Sequence, residues 1–492
     1  MRAASTSDNE DMEAPRCTGC RERDAVIAGL LGRIAVLEHR LAQQAQRLAE
    51  QDRRLAELEA RLKTNSTNSS LPPSANPPSA PKPPAKPPTG RKPGGQPGHP
   101  GHGRPRLPAD ELVQHLPARC ARCHAPLPAE ASPSDPPPTW HQVVEVPNVL
   151  ARVTEHQAHG RTCARCGQVS WGALPAEVLA HGYGPHLTAL IAFLSGRCHA
   201  SKRTIEEILE TVFGVPISLG SVAKAEAEVS AALEAPYAEA ETAVQAAPVK
   251  NADETGWSWA GQLCWLWMAV AGPVALFKIC RGRGRQALAA LLGARVRGTV
   301  GSDRWTAYGI IDLFRRQVCW AHLKRDFQKW VDWGGPATAM GQAGLEAVKE
   351  VFEAWGRFRE GVLDRPGLQA ALGPVTHDLQ AALQAGLAGP NRKAGRFCRN
   401  VLAVYPALWT FARVEGVEPT NNRAERTLRP AVIWRKISFG NQSEGGCRFA
   451  ERILTTVQTL RLQNRHVLSY LREAVAAHRA GQPAPTLLPA GA

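Results

Sequence analysis

Leu263-Cys264-Trp265-Leu266-Trp267-Met268-Ala269-Val270, the turn Ala271-Gly272-Pro273 and the run Val274-Ala275-Leu276-Phe277-Lys278-Ile279 decide the fold. Two runs of aliphatic and aromatic residues flanking a Gly-Pro turn predict an antiparallel pair of buried strands. Upstream, Val249 opens a strand that leads to Asp253. Downstream come a helix from Gln286 to Leu292, a short strand from Gly298 to Ser302 ending at Asp303, and a strand near Gln317 to Trp320. Three strands, helix, strand, helix, strand is the order of an α/β ribonuclease-H-like core. In that core the first and fourth strands are neighbours, so Asp253 and Asp303, read as their ends, meet at one edge of the sheet.

A lone Asp at a strand end is ordinarily a turn residue or a helix cap. Two at matching topological places ask for a third carboxylate. Glu425 is the candidate, in Glu418-Pro419-Thr420-Asn421-Asn422-Arg423-Ala424-Glu425-Arg426-Thr427-Leu428-Arg429-Pro430. Thr420 or Asn421 caps a helix there and places Glu425 in its first turns. A bland helix would pair Glu425 with Arg429 instead. Phosphodiester chemistry gives the three acids a common use. It needs an activated oxygen nucleophile and a stabilised leaving oxygen, which two hard cations ~3.5–4 Å apart supply, and hard cations take carboxylate oxygens. The expected cofactor is therefore Mg2+ or Mn2+, two per active site. Asp253 bridges both ions, and Asp303 and Glu425 hold one each. Water attacks first and the freed 3′-hydroxyl attacks next.

Composition agrees with a polyanionic partner. The 492 residues carry a formal net charge of +15, which points to nucleic acid, and the length suggests about three domains. No apolar run is long enough for a bilayer, which takes ~18 residues. The acidic, polar Met1–Asp11 is unlike a secretion signal. The expected location is the bacterial cytoplasm, with the nucleoid. Six of the twelve cysteines fall in three CxxC pairs, Cys17/Cys20, Cys120/Cys123 and Cys163/Cys166. Such spacing without a signal peptide reads as metal binding rather than a disulfide framework.

Residues 24–63 carry a heptad seam, with Ile27, Ile34, Leu41, Leu48, Leu55 and Leu62 at a and Leu30, Leu37, Gln44, Gln51 and Leu58 at d. An apolar seam at this spacing asks for a partner helix, so a coiled coil forming a homodimer or higher multimer is expected. Residues 64–108 form a Pro-rich linker. Its basic residues include Lys82, Lys86, Arg91, Lys92, Arg104 and Arg106, with no acid between Glu59 and Asp110. Such a tether lies along phosphates without reading sequence. Residues 109–180 read as a small zinc-binding β module. Cys120, Cys123, Cys163 and Cys166 offer four thiolates to a structural Zn2+, with His124, His156 and His159 as competing ligands. Trp140 to Val146 alternates like a strand.

Residues 181–245 read as helices. Helix Thr204 to Phe213, the break Gly214-Val215-Pro216 and a helix capped by Ser218 suit a helix-turn-helix, and equally a plain helical hairpin. Residues 246–445 hold the catalytic core. The 122 positions from Asp303 to Glu425 exceed what the core needs, so a helical insertion is expected at about 333–400. Residues 446–492 read as a basic helical tail with Arg452, Arg461, Arg465 and Arg472.

The motifs, in this order, resemble the insertion-sequence sixty-six family of bacterial DDE transposases. Asn65-Ser66-Thr67-Asn68-Ser69-Ser70-Leu71-Pro72-Pro73-Ser74 is similar to the segment after that family's leucine zipper, and Gly94-Gly95-Gln96-Pro97-Gly98-His99 to its Gly-Gly-Gln stretch. The CxxC pairs resemble its zinc region. Ala252-Asp253-Glu254-Thr255 and Ser302-Asp303-Arg304-Trp305-Thr306-Ala307-Tyr308 resemble its two Asp motifs. Cys319-Trp320-Ala321-His322, Asn421-Asn422-Arg423-Ala424-Glu425-Arg426 and the Gly-rich Phe439 to Gly446 follow as they do in the family. Arg304-Trp305 departs from the Gly-Tyr expected there. The resemblance implies a transposase that binds the terminal inverted repeats of its element and target DNA, both double-stranded. It also implies metal-dependent strand cleavage and transfer, zipper-mediated multimers and accessory proteins encoded by the same element. His322, Arg426 and Arg429 are secondary active-site candidates. Two other readings share the same features: a catalytically inactive, transposase-derived DNA-binding repressor, and a ribonuclease-H-like nuclease that does not join strands.

Overall fold

The computed structural model describes residues 18–63, 106–130, 132–133, 135–137, 139, 141–146 and 151–489. Most of the expected linker, residues 64–105, and Cys17 lie outside them. The chain divides into two compact units, Met1–Ala85 and Lys86–Ala492. In the first, α1 (Thr18–Lys63) is one unbroken helix of 46 residues. Ile27, Ile34, Leu41, Leu48 and Leu55 are exposed along its seam, so the apolar stripe is not buried within this unit.

Among the described residues of the second unit, the first strands form a two-stranded antiparallel hairpin, β1 (Gly160–Thr162) and β2 (Val169–Trp171). The strand expected at 140–146 does not form over its described residues 141–146. Val143, Val144 and Val146 are all exposed, and among the described residues no strand pairs with them. Helices α2 (Ala176–Ala180), α3 (Pro185–Gly196), α4 (Lys202–Phe213), α5 (Leu219–Ala232) and α6 (Glu234–Ala246) follow. Ser201 and Ser218 cap α4 and α5, accepting from Thr204 N and Ser221 N. Gly214 ends α4 in the left-handed region at φ 65°, where a side chain would be strained. Ile191, Ile205, Leu209, Ile217 and Val222 form the apolar cluster of this bundle.

The central sheet has the order β5-β4-β3-β6-β7. Its strands are β3 (Val249–Trp259), β4 (Gln262–Ala271), β5 (Val274–Cys280), β6 (Thr299–Ser302) and β7 (Arg316–Val318). The first three run antiparallel, and β6 and β7 join parallel to β3. Helix α7 (Arg285–Leu292) makes the crossover from β5 to β6. Two 3-10 turns, Thr306–Ile310 and Leu313–Arg315, stand between β6 and β7 where a helix was expected.

After β7 come α8 (Trp320–Trp333), α9 (Thr338–Arg359), α10 (Arg365–Ala388), α11 (Arg392–Leu402) and α12 (Thr410–Arg413). These helices build a core of their own around Leu323, Phe327, Val351, Leu368, Leu383 and Phe411. This helical stretch runs on to Arg413, past the end near 400 expected for an insertion. The chain returns to the sheet through α13 (Asn422–Ser438), α14 (Glu444–Leu462) and α15 (Val467–Arg479).

These last helices are not a solvated tail. Ile453, Leu454, Val457 and Leu471 lie in the same core as the sheet. Along α14, Glu451, Thr455 and Thr459 recur every fourth residue, so they share one face. They accept the N–H groups of Ile279, Phe277 and Ala275 on β5. Side chains of a helix thus occupy the bonding edge of an outer strand, which would otherwise be open to pairing. Arg452 turns inward to the Ser230 carbonyl and Glu234, and Arg465 to the carbonyls of Thr486 and Leu487. The charge of Arg452 and Arg465 thus serves internal bonding, while Arg461 and Arg472 are exposed.

Candidate active site

The register of the parallel pair sets the first two acids. Val249 faces Thr299, Lys250 faces Val300 and Asn251 faces Gly301. The same offset carried two residues on brings Asp253 beside Asp303, on the same face as Asn251 and Gly301 because side chains alternate. Asp253 lies within β3 rather than at its end, since β3 continues to Trp259 against β4. What ends at this level is β6, and Asp303 is the first residue beyond it.

Glu425 arrives on the first turn of α13, which Asn421 fastens to β3. Asn421 is 1% exposed. Its Nδ2 donates to the Ala252 carbonyl at 2.8 Å, and its Oδ1 accepts from Asn251 Nδ2 at 2.9 Å. Its backbone N–H donates to Cys319 Sγ at 3.1 Å. The residue stands at the N-cap position, but its side chain makes no cap bond and binds the strand instead. Glu425 is therefore held by the attachment of its helix. Its side-chain neighbour is His322, with Nδ1 3.6 Å from Oε1, and not Arg429.

Electrostatics tie the acids together. Burial, then the neighbouring carboxylates Glu254, Asp303 and Glu425, push the Asp253 carboxyl up to about 8. One Asp253 oxygen accepts the Glu254 N–H at 2.9 Å, and one Asp303 oxygen accepts the Trp305 N–H at 2.8 Å. Mutual repulsion in a dehydrated place is the setting a divalent cation relieves, so the donor set fits Mg2+ or Mn2+. The three acids are not drawn together as tightly as ligands of a single ion. Among the described residues, the group of three His, Cys, Asp or Glu whose ligand atoms all lie within 4.8 Å of one another is Cys319, His322 and Glu425.

Residues that the sequence reading left without a role support this edge. Glu254 is almost wholly buried and accepts from Arg283 Nε at 2.9 Å and from the Tyr308 hydroxyl at 2.8 Å. The Arg283 guanidinium stacks on Trp305, 4.0 Å from the ring centroid, and on Trp265 at 4.5 Å. Trp305 Nε1 donates to the Arg283 carbonyl at 2.9 Å. The departure Arg304-Trp305 thus has a local use: Trp305 orients Asp303 through its backbone and braces Arg283 through its ring. Arg304 pairs with Asp326 of α8 and lies over Phe397 of α11. Burial and then the Arg325 charge lower the His322 pKa. Arg426 and Arg429 are exposed on α13 beside Glu425.

The thiol pairs form two matching knuckles. The Cys120 N–H donates to Ala125 O and the His124 N–H to Cys120 O, each at 2.9 Å. The Cys163 N–H donates to Gln168 O at 2.9 Å and the Gly167 N–H to Cys163 O at 2.8 Å. His124 and Gly167 both take positive φ, 59° and 72°. Backbone N–H groups of Cys123 and Arg122 lower the Cys120 pKa, and those of Arg165 and Cys166 lower that of Cys163. Each knuckle fits half of a thiolate site for zinc. The four sulfurs do not gather into one cluster among the described residues, so the expected four-thiolate arrangement is not present. His124, His156 and His159 do not complete either pair within that spacing. Of the basic linker residues, Lys82, Lys86, Arg91, Lys92 and Arg104 lie outside the described residues, and Arg106 lies within them.

A family model described as "Transposase IS66 family" matches residues 181–448, more than half of the chain. The chain belongs to the IS66 family of transposases. A second model, described as a family of unknown function, matches residues 12–105. An uncharacterized protein of Sinorhizobium fredii is 24% identical over 249 residues, which is 45% of this chain and 44% of that protein. The chain thus spans less than half the length of this curated relative. The IS66 match begins ahead of α3 and ends within α14, so it takes in the helical bundle, the sheet, all three acids and the insertion. Among the described residues no helix is long and apolar enough to cross a membrane.

Proposed function

We propose that this chain is a transposase that cuts DNA at the ends of its element and joins the freed end to a target. Asp253, Asp303 and Glu425 would be the catalytic carboxylates of a ribonuclease-H-like core. The observation that carries the reading is the convergence of these three residues, 172 positions apart at the extremes, on the edge where β6 stops beside β3. Two divalent cations held by these acids would activate the attacking oxygen and stabilise the leaving one. Glu254, Arg283, Tyr308 and Trp305 keep Asp253 and Asp303 in place from behind. Arg426 and Arg429, exposed beside Glu425, are placed to hold a phosphate of the bound strand. His322 stands beside Glu425.

The insertion supplies a DNA-holding surface in this reading. From Asp378 to Glu415 the sequence has no acidic residue between. On α11, Arg392, Lys393, Arg396 and Arg399 are all exposed, and Ala394, Cys398 and Val401 are buried. The helix touches the active-site edge through Phe397, which lies under Arg304. A row of cations beside a phosphodiester-cutting site suits the backbone of the DNA leading into it. The multimer through residues 24–63, the two zinc half-sites, a DNA-binding role for α4–α5 and element-encoded accessory proteins belong to the same proposal.

The test is a strand-transfer assay with Mg2+ or Mn2+ on DNA carrying the element ends, comparing the full chain with Asp253→Ala, Asp303→Ala and Glu425→Ala. Each variant is expected to bind DNA and to lose cleavage and joining. Full activity in any of them rejects the assignment, and cleavage without joining in the unaltered chain leaves a nuclease.

A further inference from the structure

The two-cation reading leaves part of one side-chain cluster unused. Cys319 is the N-cap residue of α8 and is 1% exposed, His322 stands one turn on, and Glu425 comes from α13. One ligand atom from each lies within 4.8 Å of the other two. His322 Nδ1 and Glu425 Oε1 are 3.6 Å apart. Both atoms are buried and neither has a hydrogen-bond partner. Leaving a buried polar atom unpaired costs about 1–3 kcal/mol, so two of them facing each other mark a place where something is to be held between. Cys319 Sγ accepts the Asn421 N–H, and the backbone N–H groups of His322 and Ala321 also bond to it, contacts that favour a thiolate there.

Ligand chemistry separates this set from the carboxylate set. Asp253, Asp303 and Glu425 offer oxygen alone, which suits hard cations. Cys319, His322 and Glu425 offer sulfur, nitrogen and oxygen, the donors that suit zinc and related borderline cations. Three protein ligands leave a fourth position for water. We propose that Cys319, His322 and Glu425 form a second metal site, which takes a zinc-class divalent cation and shares Glu425 with the catalytic set. Binding releases the Cys319 thiol proton to solvent and leaves a thiolate on the ion. The consequence rests on the proposed function: an ion here withdraws Glu425 from the magnesium site, so zinc inhibits strand transfer.

The site itself is tested without activity, by titrating Co2+ into the full chain, Cys319→Ser, His322→Ala and Glu425→Gln. Serine keeps an acceptor for the Asn421 N–H, and the knuckle thiols are common to all four proteins, so their signal cancels in the difference. The full chain is expected to bind one more cobalt than each variant, with an added thiolate-to-cobalt charge-transfer band that Cys319→Ser lacks. Affinity at this site should fall by about 100-fold or more, the upper end of what losing even an outer partner costs. Equal stoichiometry and equal spectra in the full chain and Cys319→Ser overturn the proposal. The second measurement adds Zn2+ to magnesium-supported strand transfer. Cys319→Ser should keep that activity and need about 100-fold more zinc for inhibition, whereas equal zinc sensitivity overturns the inhibitory role. Absence of strand transfer in every protein would defeat the transposase reading, and the cobalt result would still decide this site.

Discussion

Asp253 shows what one residue discloses from sequence and what it withholds. Its type and its expected place at the end of a strand opened by Val249 marked it as a candidate ligand, and the β3–β6 register explains why it faces Asp303. The raised pKa was not legible, because it comes chiefly from burial and, beyond the adjacent Glu254, from Asp303 and Glu425, which only folding brings near. A group whose folded pKa lies above its unfolded one stabilises fully at low pH and loses that contribution as pH rises toward the folded value. For Asp253 the window runs from the ordinary carboxylate range to about 8. Without metal, Asp253→Asn should therefore raise the unfolding midpoint at neutral pH, by an amount on the order of 1–3 kcal/mol. Mg2+ or Mn2+ should raise the midpoint of the unaltered chain and not of the variant. Thermal unfolding with and without EDTA reads both effects, and a variant less stable than the parent without metal would contradict the repulsion. Asn421 was read as a helix cap. Its actual use, binding Asn251 and Ala252, depends on contacts about 170 positions away in the chain. Asn421→Ala leaves buried strand groups unpaired and should cost about 2–4 kcal/mol in denaturant unfolding, whereas a change below ~0.5 kcal/mol would remove Asn421 as the tie between β3 and α13.

Elements were most legible where a local pattern repeats. The paired runs around Gly272-Pro273 became β4 and β5, and the amphipathic Thr204 to Phe213 and the helix capped by Ser218 became α4 and α5. The pattern failed where partners decide. Val143 to Val146 alternates, but among the described residues no strand pairs with it, and the arginines of α14 conceal a helix whose other face is buried. The match of Glu451, Thr455 and Thr459 to the edge of β5 could not be read from either segment alone. Burial pushes the Glu451 carboxyl up to about 7, against the lowering by the Ile279 N–H and Arg448. Its stabilising contribution is present below the ordinary carboxylate range and fades as pH rises toward about 7. Stability of the parent should thus decline over that window relative to Glu451→Gln, by roughly 1–3 kcal/mol. Parallel pH–stability curves for the two proteins would show that this carboxyl does not titrate in the native state. Gly440, at φ 93°, passes so close to the Ser258 carbonyl that a Cβ would collide with it. Gly440→Ala should detach the Gly-rich segment from the end of β3, costing about 1–3 kcal/mol or more in the same unfolding assay.

At the scale of the molecule, charge and the heptad seam are the two features a sequence shows most directly. The net charge of +15 gave no location. The structure concentrates part of it on α11, while Arg452, Arg465 and Arg479 are engaged in internal bonds. Reversing Arg396 and Arg399 to Glu should weaken DNA binding across sequences and reduce the salt slope by about 2, leaving unfolding unchanged because both are exposed. Unaltered affinity would move the DNA path elsewhere. The seam of α1 leaves Ile27, Ile34, Leu41, Leu48 and Leu55 exposed, so a chain lacking residues 18–63 should sediment as a smaller species than the full chain. An unchanged number of chains per particle would assign the multimer to other contacts. Through all of this runs one claim, that Asp253, Asp303 and Glu425 hold a pair of divalent ions against DNA. Anomalous diffraction from crystals of the full chain with Mn2+ and DNA tests it most directly. Two manganese peaks about 3.5–4 Å apart, bounded by these three carboxylates, are the predicted result; peaks elsewhere, or acids left without metal while DNA is bound, would contradict it.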